Sequence, residues 1–175
     1  MDIILDSAGF NQAVEKICSE ILRDNPSLDN LAVVGMHTKG VFLSKRITEA
    51  LSKRLKKPSL QFPFGTIDIT LYRDDIDDLG LDIPLIKDTE IPFDLNKKNI
   101  LLVDDVLFTG RTVRAALDIL ISFGRPKTIK LAVLIDRGNR EFPIEANYVG
   151  FKYPSAKKIK VECKEIEKVD RVIVL

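Results

Sequence analysis

A run of four apolar residues that ends in two adjacent carboxylates constrains the fold of this chain more than any other feature. Residues 100–103 have the pattern of a central parallel strand, which is apolar because both of its faces are buried. Asp104 and Asp105 follow, and residues 111–121 then place apolar side chains at helical spacing. This order of strand, short turn and helix predicts an α/β fold with a mostly parallel sheet flanked by helices. In such sheets the carboxyl ends of the strands form the crevice in which ligands bind.

The residues of the predicted turn suit a phosphorylated sugar. Backbone N–H groups of a tight turn at a helix N-terminus bind anions, and Thr109 and Thr112 add hydroxyl donors. Gly110 permits close approach of the backbone. Asp104 and Asp105 can accept hydrogen bonds from the vicinal hydroxyls of a ribose, or bind a divalent metal through water. The alternative is a helix cap and a simple turn, but buried acids without partners are costly, which favours a binding site.

The composition is that of an ordinary globular chain, with 45% hydrophobic and 30% charged residues. Lys and Arg number 27 against 26 for Asp and Glu, so any RNA site must be a local patch. Cys18 and Cys163 match no metal spacing and are expected to be reduced. Since no signal peptide or apolar run of membrane length is present, we expect one cytoplasmic domain over residues 1–175 and no membrane partner.

The flanking segments repeat the pattern of strand, loop and helix. Ser7 is predicted to cap a first helix that runs to about Arg23. A buried strand at residues 31–34 leads through the loop 35–40 into a helix from residue 41 to about residue 55. The remaining predicted elements are strands at residues 66–72, 129–135, 157–161 and 171–175, and a loop rich in Asp, Gly and Pro at residues 73–90.

The central motif, Val103-Asp104-Asp105-Val106-Leu107-Phe108-Thr109-Gly110-Arg111-Thr112, resembles the phosphoribosyl-pyrophosphate (PRPP) binding motif of type I phosphoribosyltransferases. Together with residues 69–75 and 131–138, it is similar to the family of pyrimidine-operon attenuation regulators that are also uracil phosphoribosyltransferases. The similarity runs from residue 4 to about residue 150. It implies the type I phosphoribosyltransferase fold, with a small hood beside the parallel sheet, and a homodimer or higher homo-oligomer.

The resemblance also implies roles for individual residues. Asp104 and Asp105 are the expected catalytic residues, which would hold the ribose hydroxyls directly or through Mg²⁺ as its ligands. Pyrophosphate would be bound by Lys39, Gly40 and Arg73, and Arg73 would also be catalytic at the base of a mobile loop over residues 73–90. Lys39 stands where the family has an arginine, so the charge is kept without the bidentate fork. The rest of PRPP would be held by Val106, Leu107, Phe108, Thr109, Gly110, Arg111 and Thr112.

The nucleobase is expected at Asp136 and Arg137, at the end of the strand predicted at residues 129–135. Purine-salvage relatives carry a lysine near Asp136, so an acid here favours uracil, although these two charges could instead simply hold a turn. His37, the single histidine, is a candidate general base. Glycosyl transfer through an oxocarbenium-like state needs little proton abstraction by protein, which favours a polar loop residue.

Three functions follow from the resemblance. The leading hypothesis is an enzyme that makes UMP and pyrophosphate from uracil and PRPP with Mg²⁺. The second is an RNA-binding attenuator that senses UMP or UTP and binds a pyrimidine-operon leader RNA. The third is a phosphoribosyltransferase for hypoxanthine or guanine on the same fold.

The residues expected to contact RNA differ from those of the regulators. Asn11, Gln12 and Glu15 stand where the regulators carry basic or hydroxyl residues, and Asn139 stands where a histidine is usual. These substitutions weaken the RNA hypothesis because phosphate contacts dominate nucleic-acid affinity. Some positive charge is kept by Arg140 and by the lysines at positions 157, 158 and 160.

Overall fold

The computed structural model describes residues 2–56, 61–69 and 88–175 of the chain. Its elements, in chain order, are β1 (Asp2–Leu5), α1 (Ser7–Asp24), β2 (Leu31–Met36), α2 (Lys39–Arg54), β3 (Phe64–Ile67), β4 (Asn99–Leu107), α3 (Arg111–Phe123), β5 (Thr128–Asp136), β6 (Tyr148–Lys152), β7 (Ile159–Glu162), α4 (Lys164–Glu167) and β8 (Arg171–Val174).

The larger sheet has five strands in the order β3-β2-β4-β5-β6, and every neighbouring pair is parallel. Strand β4 lies in the middle, and its side chains alternate between two cores. Leu101 and Val103 pack in the core that includes α1 and α2, whereas Ile100 and Leu102 pack in the core that includes α3. The unbroken apolar run of β4 is therefore explained by burial on both faces, which confirms the predicted fold class.

Strand β4 extends four residues beyond the end that the sequence predicted at residue 103. It carries both carboxylates and continues to Leu107, which pairs with Asp136 of β5. Backbone pairing with β5 does not depend on apolar side chains, and at this edge of the sheet the side chains border a cavity. Polar residues can therefore occupy the end of a strand whose middle is fully buried.

The smaller sheet is antiparallel, with the order β1-β8-β7, and we call it, together with α4, the hood. Arg46 of α2 connects the hood to the helices that pack on the larger sheet. Arg46 contacts the carboxylates of Glu165 and Asp170 at 2.6 and 2.8 Å, and its guanidinium lies 5.3 Å from the ring centre of Phe10. These contacts fix the hood against α1 and α2.

The predicted cap of the first helix is wrong by one residue. Asp6 is the N-cap, and its carboxylate accepts a hydrogen bond of 2.8 Å from the Gly9 amide. The hydroxyl of Ser7 instead donates to the backbone oxygen of Asp170 at 2.8 Å, so Ser7 links α1 to the hood. Both residue types serve as caps, and a contact with a residue 163 positions away leaves no local signal.

Two further boundaries differ from the predictions. Strand β2 ends at Met36 and helix α2 begins at Lys39, so the loop predicted at residues 35–40 covers only residues 37–38. Strand β3 covers Phe64–Ile67 and not residues 66–72, of which 70–72 lie outside the described residues. Among the helices in the described parts of the chain, none combines the length and the apolar character that a membrane span requires.

Candidate active site

A cavity of about 680 Å³ lies between the carboxyl edge of the parallel sheet and the hood. Seven of the predicted site residues line it: Lys39, Asp104, Asp105, Val106, Phe108, Thr112 and Arg137. Among the described residues, the predicted ones outside the cavity wall are Gly40, Leu107, Thr109, Gly110, Arg111 and Asp136. Arg73 and residues 73–87 of the predicted loop lie outside the described residues, so their roles stay predictions.

The two adjacent carboxylates differ in their surroundings. Asp104 is 7% exposed, and its Oδ1 accepts a hydrogen bond of 2.8 Å from the Asp105 amide, which fixes its orientation. Asp105 is half-buried. Both line the cavity, where their oxygens suit sugar hydroxyls or Mg²⁺. Within the described residues no three His, Cys, Asp or Glu side chains form a metal cluster, and two carboxylates with substrate oxygens are a usual Mg²⁺ environment.

The loop between β4 and α3 turns at Gly110, whose φ of 92° lies in the left-handed region that glycine adopts freely. Thr109 is buried, and its carbonyl accepts hydrogen bonds from the amides of Glu141 and Phe142 at 2.9 and 3.1 Å. The turn is thereby held against the segment that follows β5, and Thr112 of the first helical turn lies in the cavity wall. The first amides of a helix have no partners within the helix, so this end of α3 can bind an anion.

The side chain of Arg111 takes part in a surface contact. Its guanidinium pairs with Glu141 at 2.6 Å and lies 5.3 Å from the ring centre of Phe142. About half of the side chain is exposed. The Arg111 amide donates a hydrogen bond of 3.3 Å to Oγ1 of Thr109, and the role of Arg111 in PRPP binding stays a prediction.

Lys39 reaches from the first turn of α2 to the hood. Its Nζ donates a hydrogen bond to the backbone oxygen of Val161 and lies 3.5 Å from Oε1 of Glu167. His37 and Thr38, joined by a cis peptide bond, precede it in the cavity wall. The hood therefore holds the cation that the resemblance predicts as a pyrophosphate ligand.

Gly40 packs against the backbone of β4 next to the cavity. A Cβ atom at this position would overlap the carbonyl oxygen of Val103 and lie 3.1 Å from Cα of Asp104. Only a glycine lets the first turn of α2 pack so closely on β4. Gly40 thus allows the helix turn that carries Lys39 to lie directly against the strand that carries the two carboxylates.

Asp136 and Arg137 lie at the end of β5 but have different partners. The Asp136 carboxylate accepts hydrogen bonds from the Gly138 amide at 2.9 Å and from Arg140 at 2.5 Å. The Arg137 guanidinium is 3.9 Å from the ring centre of Phe108 and donates to the backbone oxygen of Lys157 at 2.5 Å. Burial lowers the pKa of Arg137. The two charges thus do not pair with each other, and only Arg137 lines the cavity.

Arg140 is a mostly buried residue whose role the sequence did not reveal. Its guanidinium donates to the carboxylate of Asp136 and to the backbone oxygens of Phe108, Gly138 and Ile144, at 2.5 to 2.9 Å. Its charge is therefore used inside the protein and contributes little to an RNA-binding surface.

The hood and the residue before β7 supply cavity residues that were not predicted: Lys158, Ile159, Lys160, Val161 and Ile166. Lysine alternates with apolar residues at positions 158–161, which is the pattern of a strand with one buried face. The alternation predicts the strand, but it does not show that its lysines line the cavity.

Comparison with known proteins places the chain in a family. The model of the phosphoribosyl transferase domain matches residues 1–167. A relative from Endomicrobium trichonymphae, named bifunctional protein PyrR, is 61% identical over 171 residues, which are 98% of this chain and 97% of the relative. Relatives of the same name from Deinococcus radiodurans and Thermus thermophilus are 47% and 46% identical, each over 97% of this chain and 91% and 92% of the relative.

Solved structures of similar fold include a hypoxanthine-guanine phosphoribosyltransferase from Bacillus anthracis. It has a TM-score of 0.70 and 21% identity, over 100% of this chain and 98% of that chain. The hypoxanthine phosphoribosyltransferase of Trypanosoma cruzi also has a TM-score of 0.70, with 16% identity over 100% of this chain and 96% of that chain. Identities this low establish the fold and leave the choice of base undecided.

Proposed function

Because the chain belongs to the phosphoribosyl transferase domain family, and within it to the family of the bifunctional protein PyrR, we propose that it transfers the phosphoribosyl group of PRPP to uracil. The products are UMP and pyrophosphate. The observation that carries the proposal is the pair Asp104 and Asp105 in a cavity that also contains Lys39 and the first turn of α3. Hydroxyl acceptors, a cation and a helix N-terminus match the three parts of PRPP.

The residues of the cavity suit a transition state in which the sugar carbon becomes positive. Asp104 is already oriented by the Asp105 amide, so its carboxylate needs little rearrangement when charge develops. Lys39 and the first turn of α3 bind the leaving pyrophosphate and the 5′-phosphate, which hold the sugar in place. The rate enhancement comes from this positioning and charge stabilisation, and no protein nucleophile is required.

We propose Mg²⁺ as the cofactor, with Asp104 and Asp105 as the residues that would hold it. The ion would offset the negative charge of pyrophosphate as the bond to the sugar breaks.

On the base side, Arg137 is the predicted residue that lines the cavity, and we propose that it faces uracil. Asp136 supports this side by accepting hydrogen bonds from Gly138 and Arg140.

We further propose that residues 1–175 form one cytoplasmic domain that assembles into a homo-oligomer. Pairing of β1 with β8 supports one domain. The buried free thiols of Cys18 and Cys163 suit a reducing compartment. Ile121 and Phe123 are exposed on α3 and suit an interface between subunits.

A second function is regulation through a pyrimidine-operon leader RNA, which the name of the relatives favours. The exposed face of α1 carries Asn11, Gln12 and Glu15, with only Lys16 charged positively among residues 11–16, so its positive charge there is low. Binding of such an RNA that falls steeply with salt would support this role, and binding no tighter than to an unrelated RNA would exclude it.

The test of the enzyme is product formation from PRPP and Mg²⁺ with uracil, hypoxanthine or guanine in parallel reactions. UMP from uracil alone is the expected result, and nucleotide from a purine would overturn the assignment. Asp104→Asn and Asp105→Asn should each lower turnover by about a hundredfold or more, the usual effect of removing one preorganised electrostatic group. Asp118→Asn, which removes an exposed carboxylate of α3 that pairs with Arg114, is the matched control and should keep full turnover.

A further inference from the structure

We propose that Glu167 of the hood competes with pyrophosphate for the ammonium group of Lys39, and so sets how tightly the protein holds pyrophosphate. This inference rests on the proposed function, because it takes Lys39 as a pyrophosphate ligand. It adds a residue of α4 that no part of the sequence motif indicates. Glu167 acts through Lys39 and is therefore a positioning residue.

The geometry gives Lys39 two partners in the hood. Its Nζ donates to the backbone oxygen of Val161 and lies 3.5 Å from Oε1 of Glu167, and both side chains of this ion pair are 19% exposed. An ammonium group has three donors, so the hood occupies most of its capacity. An anion in the cavity must share Lys39 with a carboxylate that is already in place.

Glu167 is itself held in position. Its second carboxylate oxygen, Oε2, accepts a hydrogen bond of 2.8 Å from the Cys163 amide. The carboxylate is thus fixed between the backbone of the hood and Lys39. Because both side chains are largely shielded from solvent, their charges interact more strongly than an exposed pair would.

The sign of the effect follows from charge. Removing the carboxylate of Glu167 frees the ammonium group of Lys39 for an anion in the cavity. Pyrophosphate should then bind more tightly, and its release should be slower. If release limits turnover, tighter binding of this product lowers kcat while KM for PRPP falls.

The test is Glu167→Gln, in which the amide oxygen can still accept the Cys163 hydrogen bond while the charge is lost. Glu165→Gln is the matched control, since it makes the same charge change two residues away on α4, where Glu165 pairs with Arg46. Binding of pyrophosphate with Mg²⁺ is measured by calorimetry on the full chain, together with kcat, KM for PRPP and the midpoint of thermal unfolding. A released charge-assisted contact should lower the dissociation constant by about three- to tenfold in Glu167→Gln. In Glu165→Gln it should stay within about twofold.

Lys39→Gln supplies the double-mutant cycle. In the Lys39→Gln background, Glu167→Gln should have no further effect on pyrophosphate binding, because the ammonium group for which Glu167 and pyrophosphate compete is absent. An equal effect in both backgrounds would overturn the inference, since Glu167 would then act as a general negative charge. Unchanged or weaker binding in Glu167→Gln would overturn it as well.

The two proposals fail in different ways. If the unmodified protein makes UMP but Glu167→Gln behaves like Glu165→Gln, the role of Glu167 is wrong and the enzyme assignment stands. If Glu167→Gln tightens the binding of pyrophosphate but the unmodified protein forms no UMP, the role of Glu167 stands and the enzyme assignment is wrong. A protein that does not bind pyrophosphate would exclude the role of Glu167.

Discussion

The guanidinium of Arg140 donates a hydrogen bond of 2.8 Å to the backbone carbonyl of Phe108, and so joins the segment after β5 to the loop after β4. Phe108 is held from a second side, because Arg137 lies over its ring. Phe108 lines the cavity, whereas Arg140 stands behind it. Phe108 belongs to the loop after β4, which is proposed to bind PRPP. Arg137 and Arg140 follow β5, whose end is proposed to bind the base, so these two arginines connect the two parts of the site.

Replacing Arg140 by methionine should lower both stability and activity. The change removes the Arg140 donor from three backbone carbonyls and from the Asp136 carboxylate, which keeps the Gly138 amide. An unsatisfied buried acceptor costs about 1–3 kcal/mol. Since several hydrogen bonds are lost together, we expect the free energy of unfolding to fall by at least about 2 kcal/mol. The KM for PRPP should also rise, because the loop that contains Phe108 loses a contact that holds it. Denaturant unfolding and steady-state kinetics measure the two effects.

The matched control for Arg140 is Arg114→Met on α3, which removes an exposed arginine paired with Asp118. Its effect on the free energy of unfolding should stay within about 0.5 kcal/mol, the range for an exposed pair on a helix. Equal free energies for the two variants would contradict the internal role of Arg140.

Gly40→Ala should destabilise the protein and disturb the cavity. The added methyl group meets the Val103 carbonyl and Cα of Asp104, which are backbone atoms and cannot rotate away. Overpacking of this kind costs about 1–3 kcal/mol, and it moves Lys39 relative to the carboxylates, so both the unfolding midpoint and turnover should fall.

Gly9→Ala is the control for Gly40→Ala, because Gly9 also lies in the first turn of a helix. Its new methyl group would meet Cδ2 of Leu5 at 3.2 Å, which is the end of a flexible side chain. We expect a free energy of unfolding within about 1 kcal/mol of the unmodified protein, since alanine also favours the helix. A similar loss in both variants would show that Gly40 has no special packing role.

The two buried thiols should make the protein less stable above pH 9. Burial raises the pKa of Cys18 from 9.0 to about 11, and that of Cys163 from 9.0 to about 12. Below pH 9 both states keep the protons, and this contribution is fully present. Above pH 9 the unfolded chain releases protons that the folded chain retains, so the free energy of unfolding falls by up to about 1.4 kcal/mol per pH unit for each thiol. The loss from Cys18 ends near pH 11 and that from Cys163 near pH 12.

Denaturant unfolding at pH 8 and pH 10 measures this dependence. Cys18→Ala and Cys163→Ala should each reduce the loss between the two pH values, and the double variant should show the smallest loss. Other titrating groups are common to all four proteins and cancel in the comparison. An unchanged loss in the double variant would show that the thiols do not contribute.

The fold and the central motif could be predicted from the sequence because their signals are local. The apolar run at residues 100–103 and the helical spacing after it indicated a buried parallel strand and its helix, and both are confirmed. The adjacent carboxylates and Gly110 marked the turn that lies at the cavity. The end of β4 was misplaced because the predicted boundary followed hydrophobicity, whereas strand pairing depends on the backbone.

The sequence by itself determined the α/β class, the order of the elements and the position of the motif, since hydrophobic period and turn residues act over a few neighbouring positions. Only the tertiary structure decided which partner each charge has. Lys39 bonds to Val161, 122 positions away, and Arg140 to Phe108, 32 positions away. A lysine or arginine reads the same in a sequence whether it faces solvent, a ligand or a buried carbonyl, because its partner is chosen by packing between elements that are distant along the chain.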